Sequence, residues 1–261
     1  MSLNTLVAVF GGGGGSWTPS KLGSAVVAWY KPENIVSVSS WIDASSNSYN
    51  LGTDGADPTA TTLNGYDALT FNSDTLSHTA GSNTYFDTIA NGNEFSMFFI
   101  GQLETTQNGG IITFNYPIGS NAYGKPQITQ RSGGTIGIDD INQGGQVSLA
   151  TSTDVIMTGY GSMGASTYTS SVYKNGDTST LNSASSLAFG FANAATPSIV
   201  VGAAESSGGS KFSGHFTVSE ILICNTIITD SNKEKVEGYA AHKYGLTSLL
   251  PVSHPYKTVT P

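Results

Sequence analysis

Hydrophobic and polar residues alternate over many short stretches of the chain, and this period of two predicts β-strands. Clusters of glycine, asparagine and serine separate nearly all of these stretches, which favours tight turns between short strands. The predicted strands cover residues 25–30, 36–42, 68–72, 95–103, 110–116, 127–131, 135–138, 155–160, 171–174, 199–203 and 216–224. So many strands in one flat sheet would leave a wide apolar face in water, so the pattern predicts two packed sheets.

Two local signals are stronger than the general strand pattern. Asn175-Gly176 lies between two β-type stretches and supplies the positive φ angles that a two-residue type I′ hairpin requires. One segment has the period of an amphipathic helix, which we expect over about 230–244. Thr229 is placed to cap its N-terminus, and Gly245 to end it in the left-handed conformation. The chain is therefore predicted to be an all-β sandwich closed by one C-terminal helix.

Residues 1–16 are predicted to form an arm and a glycine spacer ahead of a single domain that spans 17–261. The arm has no basic n-region, so we expect it to be retained and not removed as a signal peptide. Its apolar side chains are costly to leave in water, so they should dock on a sister subunit or a larger assembly, or add an edge strand to their own domain. The candidate assembly residues are Leu6, Val7, Val9 and Phe10. After the helix, a proline-punctuated tail is predicted to lie extended over the sandwich.

Composition narrows the classes of function. Ten Lys plus Arg against 18 Asp plus Glu give a formal net charge of −8, the wrong sign for binding a nucleic acid backbone. No apolar run approaches the roughly 20 residues that span a bilayer, so membrane insertion is not expected. The one cysteine, Cys224, lies in an apolar stretch and is predicted to be a buried, inert thiol. Sugars remain possible ligands because neutral polar and aromatic groups recognise them.

Several segments resemble the laminin-G-like, concanavalin A-like lectin/glucanase superfamily, in the form common in bacteriophage virion proteins and bacterial surface proteins. Near the start, Ala28-Trp29-Tyr30 resembles the first strand of that group, and the run from Trp41 through Asp43 to Asn47 resembles its "W-x-D-x-S-G-N" turn, with Ser46 where the family has glycine. The most diagnostic part is the end of the chain, 219–257, with its helix and its Ser-His-Pro tail. The resemblance covers nearly the whole chain from Trp17 and implies a jelly-roll of two antiparallel sheets.

For function, the resemblance implies a non-enzymatic virion structural protein, such as a capsid decoration, head-fibre or tail-appendage subunit on the virion surface. Its expected partners are copies of itself, other virion proteins and host surface glycans, with a trimer as the hypothesis that virion symmetry suggests. The alternative is a glycan-binding lectin or adhesin module of a bacterial surface or secreted protein. A glycoside hydrolase is a distant third, since sandwich folds host many functions.

The sequence disfavours an enzyme. Glycosidases that share this fold carry Glu-x-Asp-x-Glu patterns, because one carboxylate attacks while another protonates the leaving oxygen. No Glu-x-Asp occurs in the chain, and the adjacent pair Asp139-Asp140 is interpreted as a solvated turn. No catalytic residue and no cofactor are therefore predicted.

Two sets of candidate binding residues follow from local composition. Tyr116, Tyr123 and Tyr168 lie in polar, glycine-rich surroundings and are the predicted stacking rings for a sugar. Calcium is a secondary hypothesis, because sandwiches of this kind hold it in loops rich in Asp and Asn oxygens. The candidate ligands are Asp43, Asp54 and Asp57, with Asn47, although Asp and Asn are also ordinary turn residues.

Overall fold

A computed structural model describes residues 16–79, 94–115, 127–140, 143–163, 168–185, 198–205 and 211–261. In these ranges the chain forms a β-sandwich of two mainly antiparallel sheets with one α-helix, which confirms the predicted fold class. The strands are β1 (Val26–Tyr30), β2 (Ile35–Ser37), β3 (Ser40–Trp41), β4 (Leu51–Thr53), β5 (Thr59–Leu63), β6 (Tyr66–Asn72), β7 (Leu76–Thr79), β8 (Glu94–Leu103), β9 (Gly109–Asn115), β10 (Gln127–Arg131), β11 (Thr135–Asp140), β12 (Gln143–Ser148), β13 (Val155–Met163), β14 (Tyr168–Lys174), β15 (Asp177–Ser185), β16 (Ser198–Val201), β17 (Ala203–Glu205), β18 (Lys211–Ser213) and β19 (His215–Cys224). The helix is α1 (Asp230–Lys243).

Within the described ranges, one sheet has eight strands and the other has eleven. The eight-stranded sheet runs β15-β14-β13-β8-β19-β6-β5, and β1 also pairs with β19. The eleven-stranded sheet runs β12-β11-β10-β9-β16-β7-β4-β3-β2, and the β17–β18 hairpin joins it through β9. Neighbours in the sheets are often distant in sequence, as where β19 lies between β8 and β6.

The main core lies between the two sheets, and a second apolar layer lies between the eight-stranded sheet and α1. Strand β8 shows both layers: Phe95, Met97 and Phe99 face the other sheet, whereas Phe98 and Ile100 face the helix side. Successive side chains of a strand point to opposite faces, so a strand buried on both sides needs a continuous apolar run. This double burial explains why β8 lacks alternation.

The two strongest local predictions are confirmed. Lys174 pairs with Asp177 across the turn, and Asn175 and Gly176 have φ angles of 56° and 72°. The hydroxyl of Thr229 accepts the backbone N–H of Asn232 at 3.3 Å, and the helix begins at the next residue. Cys224 is fully buried, as predicted.

Other details differ from the prediction. The predicted strand 36–42 is divided into β2 and β3, because the chain turns at residues 38–39 and the two halves pair with each other. The interpretation of Asp139-Asp140 as a turn is wrong: both residues end β11 and pair with Gly144 and Gln143. Glycine-rich β12 lacks the apolar alternation by which a strand is recognised, and its pairing depends on β11.

The C-terminal tail fastens α1 to the sandwich. His242 Nε2 lies 2.9 Å from the Tyr256 carbonyl oxygen, and the Lys257 ammonium donates to the carbonyls of Thr247, Ser248 and Leu250. The backbone N–H of Trp17 donates to the carbonyl of Pro261 at 3.3 Å, so the two ends of the described body meet.

No helix in the part of the chain that the structure describes is long and apolar enough to cross a membrane.

Candidate functional site

A small depression with a free volume of about 10 Å³ lies where the start of β9 and the end of β10 meet the β17–β18 hairpin. We call it the β10 depression. Its lining residues are Asn108, Gly109, Thr129, Gln130, Arg131 and Phe212. It therefore combines an aromatic ring, a guanidinium group, amides and a hydroxyl.

The aromatic side of the β10 depression depends on the close approach of β18 to β9. A Cβ atom on Gly109 would lie 2.3 Å from the Ser213 carbonyl oxygen, so only glycine lets the two strands come this near. Ser213 pairs with Gly110, and this pairing brings Phe212 to the depression. The ring is 37% exposed, which is unusual for a large apolar side chain in this protein. A flat apolar surface is thus presented to solvent.

The cationic side is the guanidinium of Arg131, the last residue of β10. By the alternation of β10, Arg131 lies on the face opposite the core residue Ile128. The turn to β11 is closed by the Gly134 N–H, which donates to the Arg131 carbonyl at 3.0 Å, and Gly134 has a φ of 68°. Arg131 is the only arginine in the 261-residue sequence.

Two amides fix the loop that borders the β10 depression. The buried Gln130 side chain donates to the carbonyl of Gln107 at 3.0 Å and accepts the backbone N–H of His215 at 2.9 Å. The side-chain oxygen of Asn108 accepts the Ser132 N–H at 2.9 Å, which leaves its amide nitrogen as a donor for a ligand. These bonds tie the loop to β10, β19 and the β10–β11 turn, so the polar groups are held before any ligand arrives.

The described lining of the β10 depression favours binding over catalysis. Stacking on Phe212 suits the apolar face of a ring, and the amide nitrogen of Asn108 supplies a hydrogen-bond donor beside it. The six lining residues include no Asp or Glu, so they do not provide the pair of carboxylates that glycoside hydrolysis requires.

Two other carboxylates are buried, but beneath α1. Glu220, which is 1% exposed, accepts the indole N–H of Trp29 at 2.6 Å, the hydroxyl of Tyr244 at 2.7 Å and the ammonium of Lys243 at 2.9 Å. Burial and, next, the charge of Glu220 raise the pKa of Tyr244 well above its usual value, so this hydroxyl stays protonated and donates. These hydrogen bonds to Glu220 join β1, β19 and the C-terminal end of α1.

Glu237 forms the second buried site. One oxygen accepts the Thr158 hydroxyl at 2.8 Å, and the other lies 3.4 Å from His254 Nε2 in the tail. A Cβ atom on Gly176 would lie 2.7 Å from the His254 ring, so the β14–β15 hairpin, the helix and the tail meet here. Both carboxylates therefore hold the helix and tail on the eight-stranded sheet, with their oxygens engaged by protein donors.

Asp43, the first calcium candidate, holds a turn together. Its carboxylate accepts the backbone N–H groups of Trp29, Ser45 and Tyr49 at 2.8–3.0 Å and the Ser45 hydroxyl at 2.6 Å. Asn47 donates to the Val27 carbonyl at 2.8 Å. The segment that resembles the family turn thus fastens itself to β1, with both Asp43 oxygens occupied by donors.

The other calcium candidates lie in the loop after β4. Asp57 accepts the Thr53 hydroxyl at 2.6 Å, and the Asp54 carbonyl accepts the hydroxyl of Thr75. Among the described residues, no three His, Cys, Asp or Glu side chains are grouped so that they could hold a metal ion. Calcium binding stays a prediction for which the described residues offer no such group.

None of the predicted stacking tyrosines has a described side chain. Tyr116 and Tyr123 lie outside the described residues, and only the backbone of Tyr168 is described, as the first residue of β14 opposite Met163. The assembly residues Leu6, Val7, Val9 and Phe10 also lie outside the described residues. Both sets stay predictions.

Sequence reasoning missed Arg131, Phe212 and Asn108 as site residues. A usable signal existed for one of them, since a single arginine in an acidic chain stands out. Phe212 and Asn108 gave none, because they reach the same depression only through the pairing of β18 with β9.

No protein-family model matches the sequence, and no curated protein matches it. Among solved structures, the chain is similar to Trypanosoma rangeli sialidase in complex with 2,3-difluoro-KDN, with a TM-score of 0.57, 12% identity, and coverage of 84% of this chain and 33% of the sialidase chain. It is also similar to botulinum neurotoxin type C, with a TM-score of 0.53 and 9% identity; cell entry of that toxin is dependent upon interaction with two ganglioside molecules. That match covers 85% of this chain and 53% of the toxin chain.

A further match is the botulinum neurotoxin serotype C1 binding domain, with a TM-score of 0.52, 11% identity, and coverage of 83% of this chain and 52% of that chain. The chain thus spans about a third of the sialidase and about half of the toxin chains that it matches. At these identities the similarity establishes the β-sandwich fold.

Proposed function

We propose that this chain is a non-enzymatic glycan-binding module and that the β10 depression is its binding site. The observation that carries the proposal is an exposed aromatic ring, Phe212, beside polar side chains held in place, among them the amide of Asn108, whose oxygen accepts the Ser132 N–H. A pyranose has an apolar C–H face and a rim of hydroxyls, so it needs this combination of a flat ring and convergent donors.

Two further facts support the proposal. Similar solved structures include botulinum neurotoxin type C, whose cell entry depends upon interaction with two ganglioside molecules, and Trypanosoma rangeli sialidase in complex with 2,3-difluoro-KDN, so proteins of this fold handle glycans. The buried carboxylates Glu220 and Glu237 are occupied by donors beneath α1, which is why we propose binding without catalysis.

A glycan array with the wild-type protein and Phe212→Ala tests the proposal. We expect wild type to bind a restricted set of glycans and the variant to lose about tenfold or more in affinity, since stacking and burial of one aromatic face contribute about 1–2 kcal/mol. Val36→Ala is the matched control, because Val36 is 71% exposed on β2 of the same sheet and lies outside the β10 depression. Equal binding by wild type and Phe212→Ala would exclude the β10 depression as the site.

We further propose that the module serves as a subunit of a virion surface, in line with its sequence resemblance to phage virion proteins. The support is the apolar arm at residues 1–16 together with its glycine spacer. Light scattering of the intact protein beside a variant lacking residues 1–16 tests this role. An oligomer that becomes a folded monomer on truncation supports assembly through the arm; two folded monomers contradict it.

A further inference from the structure

We infer that two copies of this chain pair through strand β5, edge to edge and antiparallel, so that their eight-stranded sheets join into one. Strand β5 (Thr59–Leu63) is the last strand of its sheet and, among the described residues, pairs only with β6. Three of its five residues, Thr59, Ala60 and Thr62, are exposed. The inferred interface uses neither the arm nor the β10 depression, so it goes beyond both proposed functions.

The β5 edge lacks the features that normally keep sheet edges apart. Proteins protect an edge with charged side chains, proline, bulges or a covering segment, because unpaired N–H and C=O groups attract another strand. Residues 59–63 contain no charged side chain and no proline, and their register with β6 is regular. At the other end of the same sheet, β15 lies against β12 of the second sheet. Among the described strands, β5 is therefore the edge of this sheet that is left open.

Charge favours this edge as the contact between two copies. The chain carries a formal net charge of −8, so copies repel each other over most of their surfaces, whereas β5 itself is uncharged. Asp67 on β6 lies opposite Thr62. In the joined sheet the two Asp67 residues are three strand spacings apart, about 14 Å or more, which exceeds the screening length at physiological salt. Like charges therefore do not face each other across the paired strands.

The backbone groups that point away from β6 follow from the turn between the two strands. Asn64-Gly65 is a two-residue turn with positive φ angles, and Leu63 pairs with Tyr66 across it. In such a hairpin the residues that flank the turn form a hydrogen-bonded pair, and bonded and non-bonded pairs then alternate along the ladder. The N–H and C=O groups of Ala60 and Thr62 therefore point outward, toward an added strand.

This outward pattern is complementary to itself. A two-fold axis through Thr61 places Ala60 of each copy opposite Thr62 of the other, and each of these two pairs exchanges two backbone hydrogen bonds. Sliding the strands in one direction brings Pro58, which has no N–H, opposite Thr62. Sliding them in the other direction brings the turn residue Asn64 opposite Ala60. The register centred on Thr61 is therefore the one in which all outward groups are paired.

The size of the interface predicts a weak dimer. Two five-residue strands bury less than the roughly 1,200 Å² of total surface that stable complexes reach, so we expect a dissociation constant of about 10 μM or weaker. Such a dimer carries two β10 depressions. If these bind glycans as proposed, the dimer gains avidity on a surface that displays several glycans.

A cysteine cross-link in the full-length protein tests the register. In the inferred dimer Thr61 faces itself across a pair without hydrogen bonds, where the two Cα atoms are about 4.5 Å apart, and a disulfide spans this distance. Thr61→Cys should therefore form a covalent dimer on mild oxidation. Thr59→Cys is the matched control, because Thr59 is more exposed than Thr61 but lies about 13 Å along the strands from its own copy. The native Cys224 is fully buried and does not compete.

Sedimentation velocity of the full-length protein measures the dimer without a cross-link. Thr62→Pro removes an N–H that points away from β6, so it deletes two of the four bonds between copies and spares the β5–β6 pairing. We expect the dissociation constant to rise at least about tenfold, whereas Thr62→Val keeps the N–H and should dimerise as the wild type does. Added salt should strengthen the wild-type dimer, because it screens the repulsion between acidic copies.

The outcomes separate this interface from the other proposals. More cross-linking in Thr61→Cys than in Thr59→Cys, with a weaker dimer for folded Thr62→Pro, supports the inference. Equal or greater cross-linking in Thr59→Cys, a dimer that folded Thr62→Pro leaves unchanged, or a wild-type protein that stays monomeric up to about 1 mM overturns it. If Thr62→Pro does not fold, the comparison of the two cysteine variants decides. None of these results changes the tests of glycan binding or of assembly through the arm.

Discussion

Lys243 offers a direct comparison of a buried and an exposed ion pair that share one cation. Its ammonium lies 2.9 Å from Glu220, which is 1% exposed, and 3.0 Å from Glu33, which is 53% exposed. The lysine side chain is itself 11% exposed. Substituting Glu220 and Glu33 in turn therefore compares a buried carboxylate with an exposed one that pairs with the same lysine.

Glu220→Ala should lower the free energy of unfolding by about 3–5 kcal/mol, because it breaks a buried pair and leaves the largely buried Lys243 with only the exposed Glu33 as its partner. The indole N–H of Trp29 and the hydroxyl of Tyr244 lose their acceptor in the same change, and a buried unpaired donor costs about 1–3 kcal/mol. The cost of breaking the ion pair and the cost of the unpaired donors overlap, so we do not add them. We expect a loss of at least about 3 kcal/mol. Glu220→Gln keeps an acceptor and should cost less than Glu220→Ala.

Glu33→Ala is the matched control and should cost less than about 1 kcal/mol, since exposed pairs are weak. Burial alone would raise the pKa of Glu33, but its own backbone N–H and Lys243 lower the pKa overall. A lowered pKa means that this small contribution is present above the unfolded value near 4.5 and is lost as the pH falls through the folded pKa.

Urea unfolding at pH 7, followed by tryptophan fluorescence and by circular dichroism, measures all three variants. The two probes should give the same midpoint if unfolding is two-state. A cost for Glu220→Ala below 1 kcal/mol, or equal to that of Glu33→Ala, would refute the view that Glu220 holds the helix on the sheet.

Three further predictions concern packing and turns. Gly238→Ala should destabilise the protein by about 1–3 kcal/mol despite a better helix propensity, because the new Cβ would lie 2.5 Å from the Tyr256 Cβ; a raised melting temperature would contradict this. Burial raises the pKa of Cys224 to about 12, so a thiol reagent at pH 8 should label it only after unfolding, and rapid labelling of the native protein would show that the site opens. Asp43→Asn should cost about 2 kcal/mol or more in urea unfolding, because one carboxylate oxygen that accepts N–H groups is replaced by a donor; no change would mean that the turn is held by other contacts.

Local elements of the fold were predictable where a short stretch of sequence carries the whole signal. The helix has its own N-cap in Thr229 and a left-handed glycine, Gly245, just past its end, and Asn175-Gly176 fits a type I′ turn without help from distant residues. The same signature, Asn64-Gly65, joins β5 and β6 with φ angles of 51° and 84°, but the sequence prediction missed it. The polar run that forms β5 obscured the strand beside that turn.

Interpretation of acidic residues was less successful, because a carboxylate looks the same in sequence whether it is solvated or buried. Asp43 holds a turn, Glu220 and Glu237 hold the helix and tail, and the pair at 139–140 ends a strand. The C-terminal segments that carry the family resemblance supply these contacts between α1, the tail and the sheet.

The sequence by itself determined the all-β class and the position of the one α-helix in the described chain, because strand periodicity and helix capping are properties of local segments. Only the tertiary structure decided which side chains share a site. Phe212 and Arg131 are 81 residues apart in numbering and meet because β18 pairs with β9, which pairs with β10. Strand order and register are long-range choices made by packing, so no local pattern could have brought these two residues together.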